Sequence, residues 1–106
     1  MARTLVNVPE TARAGEIIEI KAMIAHPMET GHRVDAKGAT IPRNIINRFE
    51  CVYDGATVFA ADLYPAVSAN PFFSFTTVAT RSGAIRFIWT DDQGAVETAS
   101  AEITVT

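Results

Sequence analysis

Residues 16–25, Glu16-Ile-Ile-Glu-Ile-Lys-Ala-Met-Ile-Ala25, decide the fold class. Ile18, Ile20, Ala22 and Ile24 recur at every second position, with Glu19, Lys21 and Met23 between them. A period of 2 places alternate side chains on opposite faces of a strand, so this stretch reads as a half-buried β-strand. The same period continues outward. Upstream, Thr4–Val8 is a short first strand, and Gly15 marks a turn. Downstream, Phe49, Cys51 and Tyr53 share one face of a strand over 45–53, opposite Arg48, Glu50 and Val52. Asp54-Gly55 then reads as a tight hairpin turn, because glycine accepts the positive φ of a type I′ turn. The returning strand is Thr57–Leu63.

The pattern persists to the C-terminus. A second connection spans Pro65–Pro71, with Asn70-Pro71 as its turn signal. In the next strand Phe73, Phe75 and Thr77 oppose Phe72, Ser74, Thr76 and Val78, which sends Phe72 away from its two aromatic neighbours. Arg81-Ser82-Gly83 turns the chain, Ile85, Phe87 and Trp89 line an inward face, and Asp91-Asp92-Gln93-Gly94 forms a hairpin loop. The last strand or pair of strands covers 96–105, with Ile103 and Val105 inward. Frequent turns and no amphipathic helix imply an all-β protein, an immunoglobulin-like antiparallel β-sandwich of about seven strands. The likeness to immunoglobulins is architectural, since their Cys…Trp…Cys pattern is missing.

The 106 residues suit a single domain, 1–106. With 48% hydrophobic and 20% charged residues the chain is composed to order throughout. A net charge of −3 argues against nucleic acid or a membrane surface as partner. No apolar run approaches the roughly 18 residues of a membrane span. Cys51 is the only cysteine, so the fold holds without an intrachain disulfide. The first residues, MARTLVNVPET, lack the apolar core of a signal peptide, which by itself points to the cytoplasm.

One segment breaks the rhythm. His26–Phe49, HPMETGHRVDAKGATIPRNIINRF, inserts a connection of roughly 15–20 residues between strands, a length often tied to function. It holds both histidines and four basic residues (Arg33, Lys37, Arg43, Arg48) against Glu29 and Asp35. The rest of the chain carries five basic and ten acidic residues, so a weakly positive loop sits on an acidic body. His26, Met28, His32 and Cys51 supply the ligand types of a blue-copper site, which defines an alternative reading as a small metal or ligand carrier. The order of ligands is wrong for that site, and Cys51 falls between Phe49 and Tyr53, where a buried hydrophobe is expected. The same burial argues against a Cys–His nucleophile, because a reactive thiol needs an exposed, electropositive setting. The carboxylates are scattered, and Asp91-Asp92 is accounted for by its turn. No catalytic site and no cofactor are expected. What survives is a binding role: Phe72 lies on the opposite face from Phe73 and Phe75, so at least one of the three points away from the core and is available to a partner; an adhesion-type module is a further alternative.

The segment also resembles a known family. His26-Pro27-Met28-Glu29-Thr30-Gly31, Arg33 and Asp35, Ile41-Pro42-Arg43 and Ile45-Ile46-Asn47-Arg48-Phe49 are similar to the signature stretch of SoxZ, the Z subunit of the Sox sulfur-oxidation system. Asp62–Phe73 and Phe87–Gly94 resemble two further segments of that family in the same order, covering nearly the whole chain. The resemblance implies a non-catalytic subunit in a heterodimer with the Sox Y subunit, itself a β-sandwich. A cysteine on the Y subunit's glycine-flanked C-terminal arm carries thiosulfate-derived sulfur between the other Sox enzymes, which meet the complex transiently. Cys51 is then not the carrier, and the chain's last residues, 102–106, carry no Gly/Cys tail. The resemblance also revises the compartment to the periplasm, reached by export with a signal-bearing Y subunit. The candidate partner-binding residues are His26, Met28, Glu29, Gly31, Arg33, Arg43 and Phe72. Arg33, Arg43 and Arg48 are suited to pair with acidic groups on a partner or with the anionic sulfur adduct; Arg48 is equally suited to hold the loop to its own domain. Gly31 is expected at positive φ, and Pro42 stiffens the loop's return.

Overall fold

The computed structural model describes residues 3–106. Eight strands are present among them: β1 (Thr4–Asn7), β2 (Thr11–Ala12), β3 (Ile17–Ile24), β4 (Ile46–Tyr53), β5 (Ala56–Asp62), β6 (Phe72–Val78), β7 (Gly83–Asp91) and β8 (Val96–Val105). They form a three-stranded sheet, β1-β3-β6, and a five-stranded sheet, β2-β8-β7-β4-β5. All pairings are antiparallel except that of the two-residue β2, which runs parallel to β8. The all-β sandwich read from the period-2 pattern is therefore what the chain adopts. Val96–Val105 is one strand rather than two, and the stretch beyond Asn7 contributes β2.

The inward positions are those the alternation assigns. Ile18, Ile20, Ala22 and Ile24 of β3 are buried, as are Phe49, Cys51 and Tyr53 of β4 and Ile85, Phe87 and Trp89 of β7. Aromatic rings stitch the sheets together: Phe49 stacks on Phe73 at 4.5 Å and Phe59 on Phe75 at 4.4 Å, each pair joining the large sheet to β6. Phe49 also meets Trp89 at 5.3 Å. A fully buried ring such as Phe49 contributes about 1.5–3 kcal/mol by leaving water, and the partly buried Phe59, Phe73 and Phe75 contribute less. Asp54 and Gly55 both take positive φ, 53° and 75°, as a type I′ hairpin requires. Tyr53 fastens the turn after β6: its hydroxyl donates to the Arg81 carbonyl at 2.6 Å and accepts from the N–H groups of Thr80 and Arg81.

The molecule is elongated, 59 × 21 × 19 Å, with a radius of gyration of 16.2 Å, against about 13 Å for a compact chain of this size. No helix among the described residues is long and apolar enough to cross a membrane.

Candidate functional site

The connection between β3 and β4 is not an irregular loop. Glu29 and Asn44 exchange N–H···O bonds of 2.9 and 2.8 Å, the Ile41 N–H donates to the Arg33 carbonyl, and Val34 opposes Thr40. The segment is thus a narrow two-stranded ribbon. Its tip is closed by Asp35, whose Oδ1 accepts from the N–H groups of Lys37 and Ala39. His32 and residues 34–40 are exposed.

The root of the ribbon is pinned from three directions. The His26 N–H donates to Asn70 Oδ1 at 2.9 Å, and the Asn70 N–H returns a bond to the His26 carbonyl. The Met28 N–H donates to His26 Nδ1 at 3.0 Å, and the Ile46 N–H donates to the Met28 sulfur at 3.2 Å. Met28 is buried at a φ of 53°, a strained conformation for an unbranched residue that these bonds hold in place. Asp92 makes the third anchor. Its carboxylate takes a bidentate pair from Arg43 (2.7 and 2.9 Å) and further bonds from the Asn47 side chain and the Ile45 N–H. Mainly because Arg43 donates to it, with Asn47 and Ile45 adding to the effect, Asp92 is lowered from 3.8 to about 2.

The sequence-derived candidates separate into three groups. His26 and Met28 are buried structural residues of the root, not surface ligands. Glu29, Gly31, Arg33 and Arg43 lie along the ribbon. Arg33 forms a bidentate pair with Glu29, which lowers the glutamate's pKa chiefly through that hydrogen bond. Gly31 has a φ of 84°, as expected, and packs so close that an added Cβ would lie 3.0 Å from the Cβ of Arg43. Arg48, read as equally suited to a partner or to its own domain, pairs with Glu50 and Asp62. Arg33, Arg43 and Arg48 thus each have an acidic partner within the chain.

Phe72 stands apart and is 59% exposed, facing outward as its place in the alternation requires. The register sets it opposite Met23, and Met23 opposite Leu5, so the three form one cross-strand row on the outer face of the small sheet. The row borders a groove of about 210 Å³ and lies at the end of the sheet where the ribbon emerges. Leu5 was not singled out in the sequence, because which strands neighbour each other decides the row. Asp92 was read only as a turn residue, yet Asp91 serves the turn, accepting from Gln93 and Ala95, while Asp92 holds the ribbon.

The chemistry of a metal or thiol site does not assemble. The ring nitrogen Nδ1 of His26 and the sulfur of Met28 are both engaged by backbone N–H groups. Among the described residues no three His, Cys, Asp or Glu side chains gather closely enough to hold a metal ion. Cys51 is fully buried, and burial pushes its thiol up to about 11, far from a nucleophile's range.

Comparisons with known proteins agree with the sandwich. A superoxide reductase (neelaredoxin) from Ignicoccus hospitalis aligns at a TM-score of 0.74 and 18% identity, over 97% of this chain and 80% of that one. The sulfur carrier protein SoxY from Chlorobium limicola f thiosulfatophilum aligns at 0.68 and 14%, over 97% and 78%. At such identities these are likenesses of fold. No curated protein sequence matches the chain. The family model described as "Sulphur oxidation protein SoxZ" matches residues 6–102, nearly the whole chain. The protein belongs to the SoxZ family and has its role in the Sox sulfur-oxidation system.

Proposed function

We propose that this protein is the non-catalytic half of a sulfur-carrier heterodimer: it binds the Sox Y subunit and supports the arm whose cysteine carries thiosulfate-derived sulfur between Sox enzymes. Family membership supports a Sox protein as the partner. The observation that carries the binding role is the Leu5–Met23–Phe72 row, an apolar strip across one end of the sheet's outer face, with Leu5 65% and Phe72 59% exposed. Apolar side chains aligned on one exposed face are the usual core of a protein interface. The burial of Cys51 supports placing the sulfur on another chain, since a thiol held near 11 neither attacks nor presents a sulfur adduct to an enzyme. The ribbon, standing at the same end as the row, is the part placed to be read by the enzymes that visit the arm. The working compartment in this reading is the periplasm, reached together with the Y subunit.

Co-expression with the Y subunit tests the proposal. A one-to-one complex on gel filtration, found in the periplasmic fraction after osmotic shock, is the expected result. Separate elution of the two proteins at micromolar concentration would overturn the heterodimer, and recovery only from the cytoplasm would overturn the compartment.

A further inference from the structure

β6 is an edge strand, paired on one side with β3. In an antiparallel pair alternate residues aim their N–H and C=O groups at the partner. Bonds just beyond the strand ends, Ile24 N–H to the Pro71 carbonyl and Ala79 N–H to the Glu16 carbonyl, fix which ones. Phe73, Phe75 and Thr77 bond to β3. Phe72, Ser74, Thr76 and Val78 therefore turn their backbone groups to the open side, where no strand among the described residues pairs with them.

Exposed edges are normally guarded by lysines, inward charges, prolines, bulges or shortness. β6 has none of these within it. It runs seven residues in unbroken register with β3, and no charged residue occurs from Pro71 to Thr80. β5, the edge of the other sheet, is also free of charge from Ala56 to Ala61.

The residues along this edge match themselves. Under a two-fold axis at Phe75, Phe72 falls opposite Val78 of a second copy and Ser74 opposite Thr76. Apolar thus meets apolar and hydroxyl meets hydroxyl, both favourable cross-strand pairs. The match extends into β3. Met23 pairs with Phe72, and Ile17 with Val78, so one apolar row would run Leu5, Met23, Phe72, then Val78 and Ile17 of the second copy. That row takes up four of the large exposed hydrophobic side chains: Leu5, Ile17, Phe72 and Val78. In the neighbouring row Lys21 lies beside Ser74 and Glu19 beside Thr76, so the rows bring opposite charges to the two flanks of the axis.

We propose that β6 pairs antiparallel with β6 of a second copy of this chain, joining two small sheets into one six-stranded sheet with an isologous two-fold interface. The outer face then carries two continuous apolar rows. The pairing is independent of whether the Y subunit binds those rows.

Sedimentation of the purified chain alone, from micromolar to submillimolar concentration, reads the pairing directly. The expected mass is twice the 11.4 kDa of one chain at the upper end, falling to the monomer on dilution. Thr76→Lys places a charge at the centre of the edge, and Ser74→Pro removes only an outward N–H, leaving the β3 ladder intact. Both variants are expected to stay monomeric across the range, with circular dichroism unchanged. A wild-type chain that remains monomeric at submillimolar concentration overturns the inference. So does a dimer that survives both folded variants. With the Y subunit present, the one-to-one complex of Thr76→Lys is expected to persist; loss of Y binding in that variant would assign the edge to the Y subunit and overturn self-pairing.

Discussion

At the scale of single residues, Gly31 and Asp92 carry separable costs. Gly31 and Gly38 share almost the same φ, 84° and 83°, but only Gly31 has a backbone neighbour within reach of an added Cβ. Alanine at Gly38 meets the left-handed conformation alone and is expected to lower stability by about 1 kcal/mol. Alanine at Gly31 adds a 3.0 Å contact with the Cβ of Arg43, which cannot swing away as a side-chain tip can. Its cost is expected to exceed that of Gly38→Ala by about 1 kcal/mol or more in urea unfolding; equal values would show that the ribbon shifts freely. Asp92 is different, because removing it strands donors. Arg43 is half exposed and finds water once the carboxylate is gone, so it is not left stranded. The Ile45 N–H and the Asn47 amide are partly buried, and Asp92→Ala leaves both unpaired, for an expected loss of about 2 kcal/mol. The pH dependence follows from the lowered pKa. The unfolded carboxyl titrates near 3.8 and the folded one near 2, so Asp92 contributes fully above 3.8, and its contribution fades as pH falls toward 2. Unfolding measured across that interval is expected to show a steeper acid loss for the wild type than for Asp92→Asn. Parallel curves would remove Asp92 from the account.

At the scale of elements, the ribbon is a rigid root with a loose tip. Its root shares hydrogen bonds with the 64–71 connection and the β7–β8 turn, whereas residues 34–40 are exposed and bond only among themselves. Local opening free energy tracks such contacts. Limited trypsin digestion is therefore expected to cut after Lys37 first and to spare Arg43 and Arg48, which Asp92, Glu50 and Asp62 hold; first cleavage at Arg43 would mean the root opens with the tip. The strands themselves were readable in sequence because one buried face imposes a period of 2 that a single substitution cannot hide. Even the I′ turn at Asp54-Gly55 and the placing of Phe72 on the face opposite Phe73 and Phe75 follow from that local pattern. The ribbon was readable only as a long connection. Its pairing of Glu29 with Asn44 is between polar residues with no hydrophobic alternation to betray it, and its anchor, Asp92, is 49 residues from Arg43 in the chain. His26 and Met28 looked like ligands because their chemistry is legible, while their burial depends on packing against Ile46 and Asn70, which the local pattern does not contain.

At the scale of the whole molecule, the two faces of the small sheet do different work. Its inner face supplies Ile18, Ile20, Ala22 and Ile24 to the core, and its outer face leaves Leu5, Met23 and Phe72 aligned beside the ribbon root. The folded chain draws little from that outer row: Leu5 and Phe72 are more than half exposed, so removing them forfeits little buried area. A binding role and a folding role therefore predict different responses to charge. Leu5→Glu and Met23→Glu place carboxylates on the row without entering the core. Leu5→Glu is expected to change stability by no more than about 0.5 kcal/mol, as for an ordinary surface position. Met23→Glu, at a half-buried site, is expected to cost somewhat more while still folding. Desolvating a carboxylate inside an interface costs far more than exposing it to water. Both variants are thus expected to lose the one-to-one complex with the Y subunit on gel filtration while keeping their own circular dichroism and cooperative melting. Retention of the complex by both would move the Y-binding surface elsewhere, with the ribbon, on the same end of the molecule, as the next surface to mutate. Loss of folding by Leu5→Glu would instead show that the outer row belongs to the core of the isolated chain, contrary to its exposure.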